Sequence, residues 1–283
     1  MKKLLVGLFF AVSGIAAAAA ADLSARSAPP PLPPPAFSWT GFYVGVNGGR
    51  SSTDPTFGYT PNDFNALFST CGSPFGTTCV PSASFNMNGS LAGGQIGYNY
   101  QFNPSWMVGA EADYDWSNIH GSANSNFILG SVGPSTFVAK ETVESFGTFR
   151  GRLGFIPTPP LLLFVTGGLA YGTVDGQSAM APGVGDNGSG DSFGHNTYRC
   201  YDPISCFSGK LSETRVGWTL GAGGEYAITN NITVKAEYLY ANLGRPESFN
   251  AVATMGFGAP SSFAVSSSAV SLNIVRAGLN WKF

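Results

Sequence analysis

Residues 106–116 read Trp106-Met-Val-Gly-Ala-Glu-Ala-Asp-Tyr-Asp-Trp116. Taken alternately, Trp106, Val108, Ala110, Ala112, Tyr114 and Trp116 fall on one side. Met107, Gly109, Glu111, Asp113 and Asp115 fall on the other. A helix would scatter both sets around its axis, whereas a strand, with its period of two, separates them. The face without charges has an aromatic at each end and small aliphatics between. That is the pattern of a strand crossing hydrocarbon between two aromatic girdles, its polar face turned to a lumen.

Composition agrees with this reading. Hydrophobic residues make up 43% of the 283-residue chain and charged residues 11%, against roughly 25% charged in ordinary soluble domains. No long apolar run follows residue 20, so a mature transmembrane helix is not available. A chain too apolar for water and too interrupted for a helix has one membrane solution left, the closed β-barrel. The 38 glycines and the 13% aromatic content suit that solution. The net charge of −2 excludes a basic nucleic-acid-binding face.

Seven further segments alternate in the same way. They lie at about 40–50, 89–101, 143–155, 161–174, 213–228, 232–242 and 269–283, giving eight strands with 106–116. Their outward sets include Phe42, Val44 and Val46; Phe149, Leu153 and Phe155; and Val275, Ala277, Leu279, Trp281 and Phe283. Connections after the second, fourth and sixth strands are short. Those after the first, third, fifth and seventh run roughly 20 to 38 residues. Short periplasmic turns alternating with long external loops are what membrane barrels show. The expected fold is therefore all-β: an eight-stranded antiparallel up-and-down transmembrane barrel with long extracellular loops and both ends in the periplasm. A soluble sandwich or lipocalin would alternate too, but with charges on its outer face.

Ahead of the barrel, Lys2 and Lys3, the apolar run Leu4–Ile15 and the alanines ending at Ala21 form a secretory signal, residues 1–21. Its removal takes two of the 14 basic residues and leaves 12 against 16 acidic ones, or −4. Residues 22–38 contain Pro29-Pro-Pro-Leu-Pro-Pro-Pro35, an extended polyproline spacer or a docking ligand for a periplasmic partner. The barrel domain is expected over 39–283.

The inward charges decide between channel and plug. Glu111, Asp113, Glu225 and Glu237 oppose Arg150, Arg152, Lys235 and Arg276. An eight-stranded interior is just wide enough for side chains to fill. Opposite charges held there should pair, because a lone buried charge is costly. A closed, polar-filled lumen is expected rather than a diffusion pore.

Four cysteines stand in two close pairs, Cys71 with Cys79 and Cys200 with Cys206, in the loops after the first and fifth strands. An oxidising periplasm favours disulfides, and of three connectivities the local one is simplest. Each local bridge would contribute about 2.5 kcal/mol by loop entropy. Spacings and the two histidines, His120 and His195, do not suit zinc. No metal and no cofactor are expected. Catalysis is not expected either: the least unfavourable grouping is His120 with Asp115 and Ser117 near the external rim. His195 lies near Tyr198 and Tyr201, a weak basis for a haem-contacting loop. Loops 52–88 and 175–212 are rich in Ser, Gly, Asn, Thr and aromatics, which suits contact with sugars, host proteins or phage as well as it suits passive antigenic variation.

Several segments together carry a resemblance: Trp39-Thr-Gly-Phe-Tyr-Val-Gly45, Gly94-Gln-Ile-Gly-Tyr-Asn99, Gly167-Gly-Leu-Ala-Tyr-Gly172, Trp218-Thr-Leu-Gly-Ala-Gly-Gly-Glu-Tyr226, Lys235-Ala-Glu-Tyr-Leu-Tyr240 and Val275-Arg-Ala-Gly-Leu-Asn-Trp-Lys-Phe283. With them the chain resembles the small outer-membrane β-barrel "porin family" of α-proteobacteria, the 25- and 31-kilodalton surface antigens. The resemblance spans nearly all of 39–283 and fails in the loops. It implies an eight-stranded barrel, surface exposure and, in some members, proposed haem binding or envelope anchoring. It also implies that the terminal Trp281 and Phe283 are read by the barrel-assembly machinery. The partners implied are outer-membrane lipid and lipopolysaccharide, that machinery, and host or environmental ligands at the loops.

Overall fold

The computed structural model describes residues 37–63, 82–129, 133–182, 207–253 and 262–283. The expected signal, nearly all of the proline-rich segment, the four cysteines and His195 lie outside these residues. The described chain is all-β, in twelve strands rather than eight. They are β1 (Gly41–Thr53), β2 (Thr56–Pro61), β3 (Ala83–Ser84), β4 (Met87–Asn103), β5 (Trp106–Leu129) and β6 (Gly133–Thr158). They continue with β7 (Leu161–Pro182), β8 (Phe207–Ala227), β9 (Ile232–Asn242), β10 (Phe249–Ala253), β11 (Ser262–Ser267) and β12 (Ser271–Lys282).

Eight of these strands close a ring. Antiparallel pairing runs β1–β4–β5–β6–β7–β8–β9–β12 and returns to β1. The closing seam pairs Tyr43 with Lys282 and continues to Ser52 with Asn273. The other four strands form a second row of pairs, β8–β10–β11–β2–β3. The extra count comes from breaks at residues 54–55, 85–86, 243–248 and 268–270. Each break has a local cause or a local repair. Pro55 lacks an N–H, and its carbonyl accepts from Phe85 N at 3.3 Å. Gly244 sits at φ +75°, a left-handed conformation that turns the chain at the end of β9, and its N–H donates to Asn242 Oδ1 at 2.8 Å.

The long loops are shorter than the sequence suggested. The stretch between the third and fourth expected strands is a hairpin, with β5 running to Leu129 and β6 starting at Gly133. Residues 175–182 and 207–212 of the expected 175–212 loop continue β7 and β8, and Gly176 pairs with Leu211.

The polarity of the wall reverses along its length. In the lower part, Phe42, Val46, Trp116, Phe149, Val165, Trp218 and Phe283 are exposed outward, while charged and amide groups point in. In the upper part the apolar residues point in: Phe57, Met87, Phe137, Phe146, Phe207 and Phe263 form one buried cluster. The outward change takes one register row. Trp116 pairs with Ala92, Ala92 with Gly48 and Gly48 with Ala277, the last apolar row. Four residues further, with one row between, His120 pairs with Asn88, Asn88 with Ser52 and Ser52 with Asn273. Hydrocarbon ends between those rows, and above them the barrel is built like a water-soluble one. A bulge marks the same level: Trp116 pairs with Ser145 and Ile119 with Val143, so the inward parity of β6 flips around Glu144.

Candidate functional site: an ion-paired lumen

Five strands, β5, β6, β8, β9 and β12, aim the central charges inward. Glu111 and Arg150 are direct partners across β5 and β6, as are Glu237 and Arg276 across β9 and β12. Glu225 pairs with Lys235 across β8 and β9. All are nearly inaccessible to solvent. Arg150 bridges three carboxylates: Glu111 at 2.5 Å, Asp113 at 2.9 Å and Glu237 at 2.9 Å. Arg276 reaches across the barrel to Asp113 at 2.7 Å and Asp115 at 2.8 Å, and binds its neighbour Glu237 at 2.8 Å. Lys235 joins Glu111 at 2.8 Å to Glu237 at 3.1 Å. Arg152 holds Glu225 at 2.7 Å, approaches Glu111 at 3.4 Å and lies 4.2 Å above the Phe164 ring.

Neutral groups complete the layer. The Tyr43 hydroxyl donates to Glu111 at 2.7 Å and accepts from Arg152 at 2.7 Å. Thr148 donates to Asp113 at 2.6 Å, and Asn280 donates to Glu225 at 2.8 Å. Gln95 donates to Asn280 at 2.5 Å. Gly97 lacks a side chain where the Tyr43 hydroxyl lies: a Cβ there would sit 2.3 Å from that oxygen. In a low-dielectric core such a network is stable only when its members remain satisfied together.

Apolar layers close both ends of the charged layer. Below it, Trp39, Met107, Ile156, Leu162, Phe164 and Ala227 cluster. Trp39 is pinned there, its indole N–H donating to Pro159 O at 3.0 Å and its backbone N–H to Gln101 Oε1 at 3.0 Å. Above lies the phenylalanine-rich core. Side chains therefore meet across the lumen at three successive levels.

The sequence reading placed eight charges in this lumen, and the structure brings all eight together. It adds a ninth: Asp115, fully buried and bound to Arg276. The expected four-to-four balance is therefore corrected to five carboxylates against four cations. Asp115 lies on the inward face of the opening stretch with Met107, Gly109, Glu111 and Asp113. Tyr43, Gln95 and Asn280 carry no charge pattern that would have flagged them. The His120–Asp115–Ser117 grouping does not assemble. His120 is exposed with Nδ1 2.6 Å from Asn118 O, Ser117 Oγ donates to Val143 O at 2.6 Å, and Asp115 faces the lumen. Trp281 and Phe283 face outward at the lower rim.

A second buried carboxylate, in the upper core, was not anticipated. Glu141 pairs in register with Gly121 and Gly176 and is 1% exposed. One oxygen accepts from Ser267 Oγ at 3.2 Å, and the other has no partner among the described residues. Burial pushes its pKa up to about 7, against a smaller opposing pull from Ser267. The Tyr59 phenol belongs to the same upper cluster, and burial raises it as well.

The family described as outer membrane protein beta-barrel domain matches residues 8–283. The chain belongs to that family. It is 37% identical over 280 residues to the 31 kDa outer-membrane immunogenic protein of Brucella melitensis, covering 98% of this chain and 97% of the relative. It is 29% identical over 255 residues to the 22 kDa outer membrane protein of Rhizobium leguminosarum bv. viciae, covering 86% of each. Among solved structures, it is similar to the outer membrane protease OmpT of Escherichia coli, with TM-score 0.45 and 10% identity over 88% of this chain and 99% of that one. The family match and the relative from Brucella establish the outer-membrane barrel reading and the outer-membrane location together.

Proposed function

We propose that this outer-membrane barrel is a structural envelope protein with a closed lumen, not a diffusion pore and not an enzyme. The observation that supports it most is the stack of three filled levels: the Trp39 cluster, the charged layer and the phenylalanine-rich core. A solute crossing the barrel would have to break buried ion pairs and then open an apolar core.

On this reading the twelve strands act as eight interrupted ones, β1 with β2, β3 with β4, β9 with β10 and β11 with β12. Residues 1–21 serve for export, 22–38 as a periplasmic spacer, and the outward Trp281 and Phe283 for recognition by the assembly machinery. The lower wall rests against outer-membrane lipid and lipopolysaccharide. Cys71 with Cys79, and Cys200 with Cys206, would each staple an external loop.

A second reading places binding in those loops. Beyond Trp116, β5 continues to Leu129, which at about 3.3 Å per residue is on the order of 40 Å along the strand. That shaft would lift the connecting segments well clear of the membrane, where an antigen or adhesin would present them. The relative from Brucella is itself named immunogenic.

A deletion strain separates the two readings. Loss of a structural barrel should sensitise cells to detergent and large hydrophilic antibiotics and produce blebs. A chain lacking residues 183–206 should restore the barrier fully. If that shortened chain fails to restore the barrier although it reaches the outer membrane in normal amount, the loop carries the function and the structural reading is wrong.

A further inference from the structure

The row between the last apolar row and His120 carries a charge on the outer wall. Arg50 pairs with Ser90 on β4 and with Val275 on β12, and Val275 pairs with Tyr238 on β9. Following partners around the ring from Trp116 leads back to β5 at Trp106, ten residues lower. Paired rows therefore descend by about one and a quarter residues per strand in that direction. Allowing for that slope, the height of Trp116 falls at Arg50 on β1 and at Trp218 on β8. An exposed arginine thus stands outward at the depth of the aromatic girdle, where lipid headgroups lie.

The groups around it are short, polar and partly uncommitted. With Ser52, Asn88, Ser90, His120 and Asn273, Arg50 lines an outward groove of about 630 Å³. Among the described residues the Arg50 guanidinium and the hydroxyls of Ser52 and Ser90 have no hydrogen-bond or ionic partner. The Asn273 side chain is fixed beside them, accepting from the Tyr238 hydroxyl at 2.7 Å. His120 Nδ1 lies 2.6 Å from Asn118 O. A carbonyl only accepts, so Nδ1 carries the proton and Nε2 of the neutral ring is left as an acceptor. Directly below Arg50 the lipid-facing wall is low: the outward residues there are Gly48, Ala92 and Ala277. A Cβ on Gly48 would meet nothing closer than Leu91 O at 3.7 Å, so strand packing does not demand a glycine. At the inward Gly49 the same atom would lie 2.3 Å from Val275 O.

We propose that this groove binds one phosphorylated glycolipid of the outer leaflet, the headgroup chemistry of lipopolysaccharide. The Arg50 fork takes a phosphate, Ser52, Ser90 and His120 take sugar hydroxyls, and acyl chains lie over Gly48, Ala92 and Ala277. A cation at headgroup depth calls for an anion, the small polar side chains suit a sugar, and the low apolar strip beneath suits chains attached to it. From the proposed function the inference takes only the placement of the upper barrel outside the cell; it does not depend on the closed lumen.

The test uses the full-length mature chain, refolded from urea so that it carries no cellular lipid. Native mass spectrometry in detergent follows binding of bisphosphorylated lipid A, its dephosphorylated form, phosphatidylglycerol and inorganic phosphate. One lipid A per barrel is expected, held at least about tenfold more tightly than the other three. Arg50→Gln should weaken lipid A by at least about tenfold and leave the gel shift of the folded barrel unchanged. Gly48→Leu touches no charge and should weaken it several-fold by filling the strip. Lys140→Gln removes another exposed cation, higher on the wall, and should change nothing. Undiminished lipid A binding in Arg50→Gln would overturn the proposal. So would an equal loss in Lys140→Gln, the mark of unspecific charge attraction. Phosphate binding as tightly as lipid A would make this an anion site without a lipid, and phosphatidylglycerol binding as tightly would remove the sugar from recognition; either overturns the glycolipid assignment. An antibody to residues 183–206 on intact cells tests the orientation separately. Failure to bind there, with Arg50-dependent lipid A binding intact, would overturn the external placement and leave the lipid site standing.

Discussion

Arg150→Met should lower the unfolding free energy of the refolded barrel by about 3–5 kcal/mol, the cost of breaking a buried ionic network from one side. The side chains are close in volume, so a cavity is not the cause. Arg150 donates to Glu111, Asp113 and Glu237 at once, and its removal leaves five carboxylates against three cations. Lys235 and Arg276 still contact those acids but already serve Glu111, Asp113, Asp115 and Glu237. The double change Arg150→Met with Glu111→Gln should be more stable than the single one, because it withdraws one of the stranded charges. Urea titration in lipid vesicles, followed by the gel shift between folded and unfolded barrel, measures both. A loss below about 1 kcal/mol for the single variant would mean that water reaches these groups and screens them.

Glu141→Gln should act in the opposite direction. In the folded barrel Glu141 holds its proton up to about pH 7, against an ordinary value of 4.5. Between those values the folded state binds more protons than the unfolded one, so stability falls as pH rises through that window and levels off above it. The interval is worth about 3 kcal/mol. The unmodified chain should therefore be more resistant to urea at pH 5 than at pH 8 by that order. Glu141→Gln should remove this component of the pH dependence and match the acid-form stability at pH 8. An unchanged pH profile in the variant would show that the carboxylate is hydrated in the folded state.

The lower barrel was legible because lipid outside and ion pairs inside impose opposite chemistry on alternate residues. Trp106–Trp116 displays that contrast without interruption. The upper barrel was hidden by its small inward residues. Gly121 and Ala123 alternate with Asn118, His120, Ser122 and Asn124, a mixture that resembles a polar loop until Phe57, Phe137 and Phe263 arrive from distant strands to cover it. The parity flip around Glu144 erased the period that would have joined the two halves of β6. Breaks at Pro55 and Gly244 divided strands that alternation alone would have continued. Glu141 gave no sequence signal, because an acid amid Thr, Ser and Lys looks solvated. Asp115 was readable from alternation, and it changes the account most, since it turns a balanced lumen into one with five carboxylates against four cations.

Planar-bilayer recording of the refolded chain tests the closed lumen most directly. The filled levels predict a flat baseline, without reproducible steps of porin size, in the unmodified protein. Reproducible steps whose size changes when Arg150 or Glu111 is neutralised would place ions in the lumen's path and contradict the account.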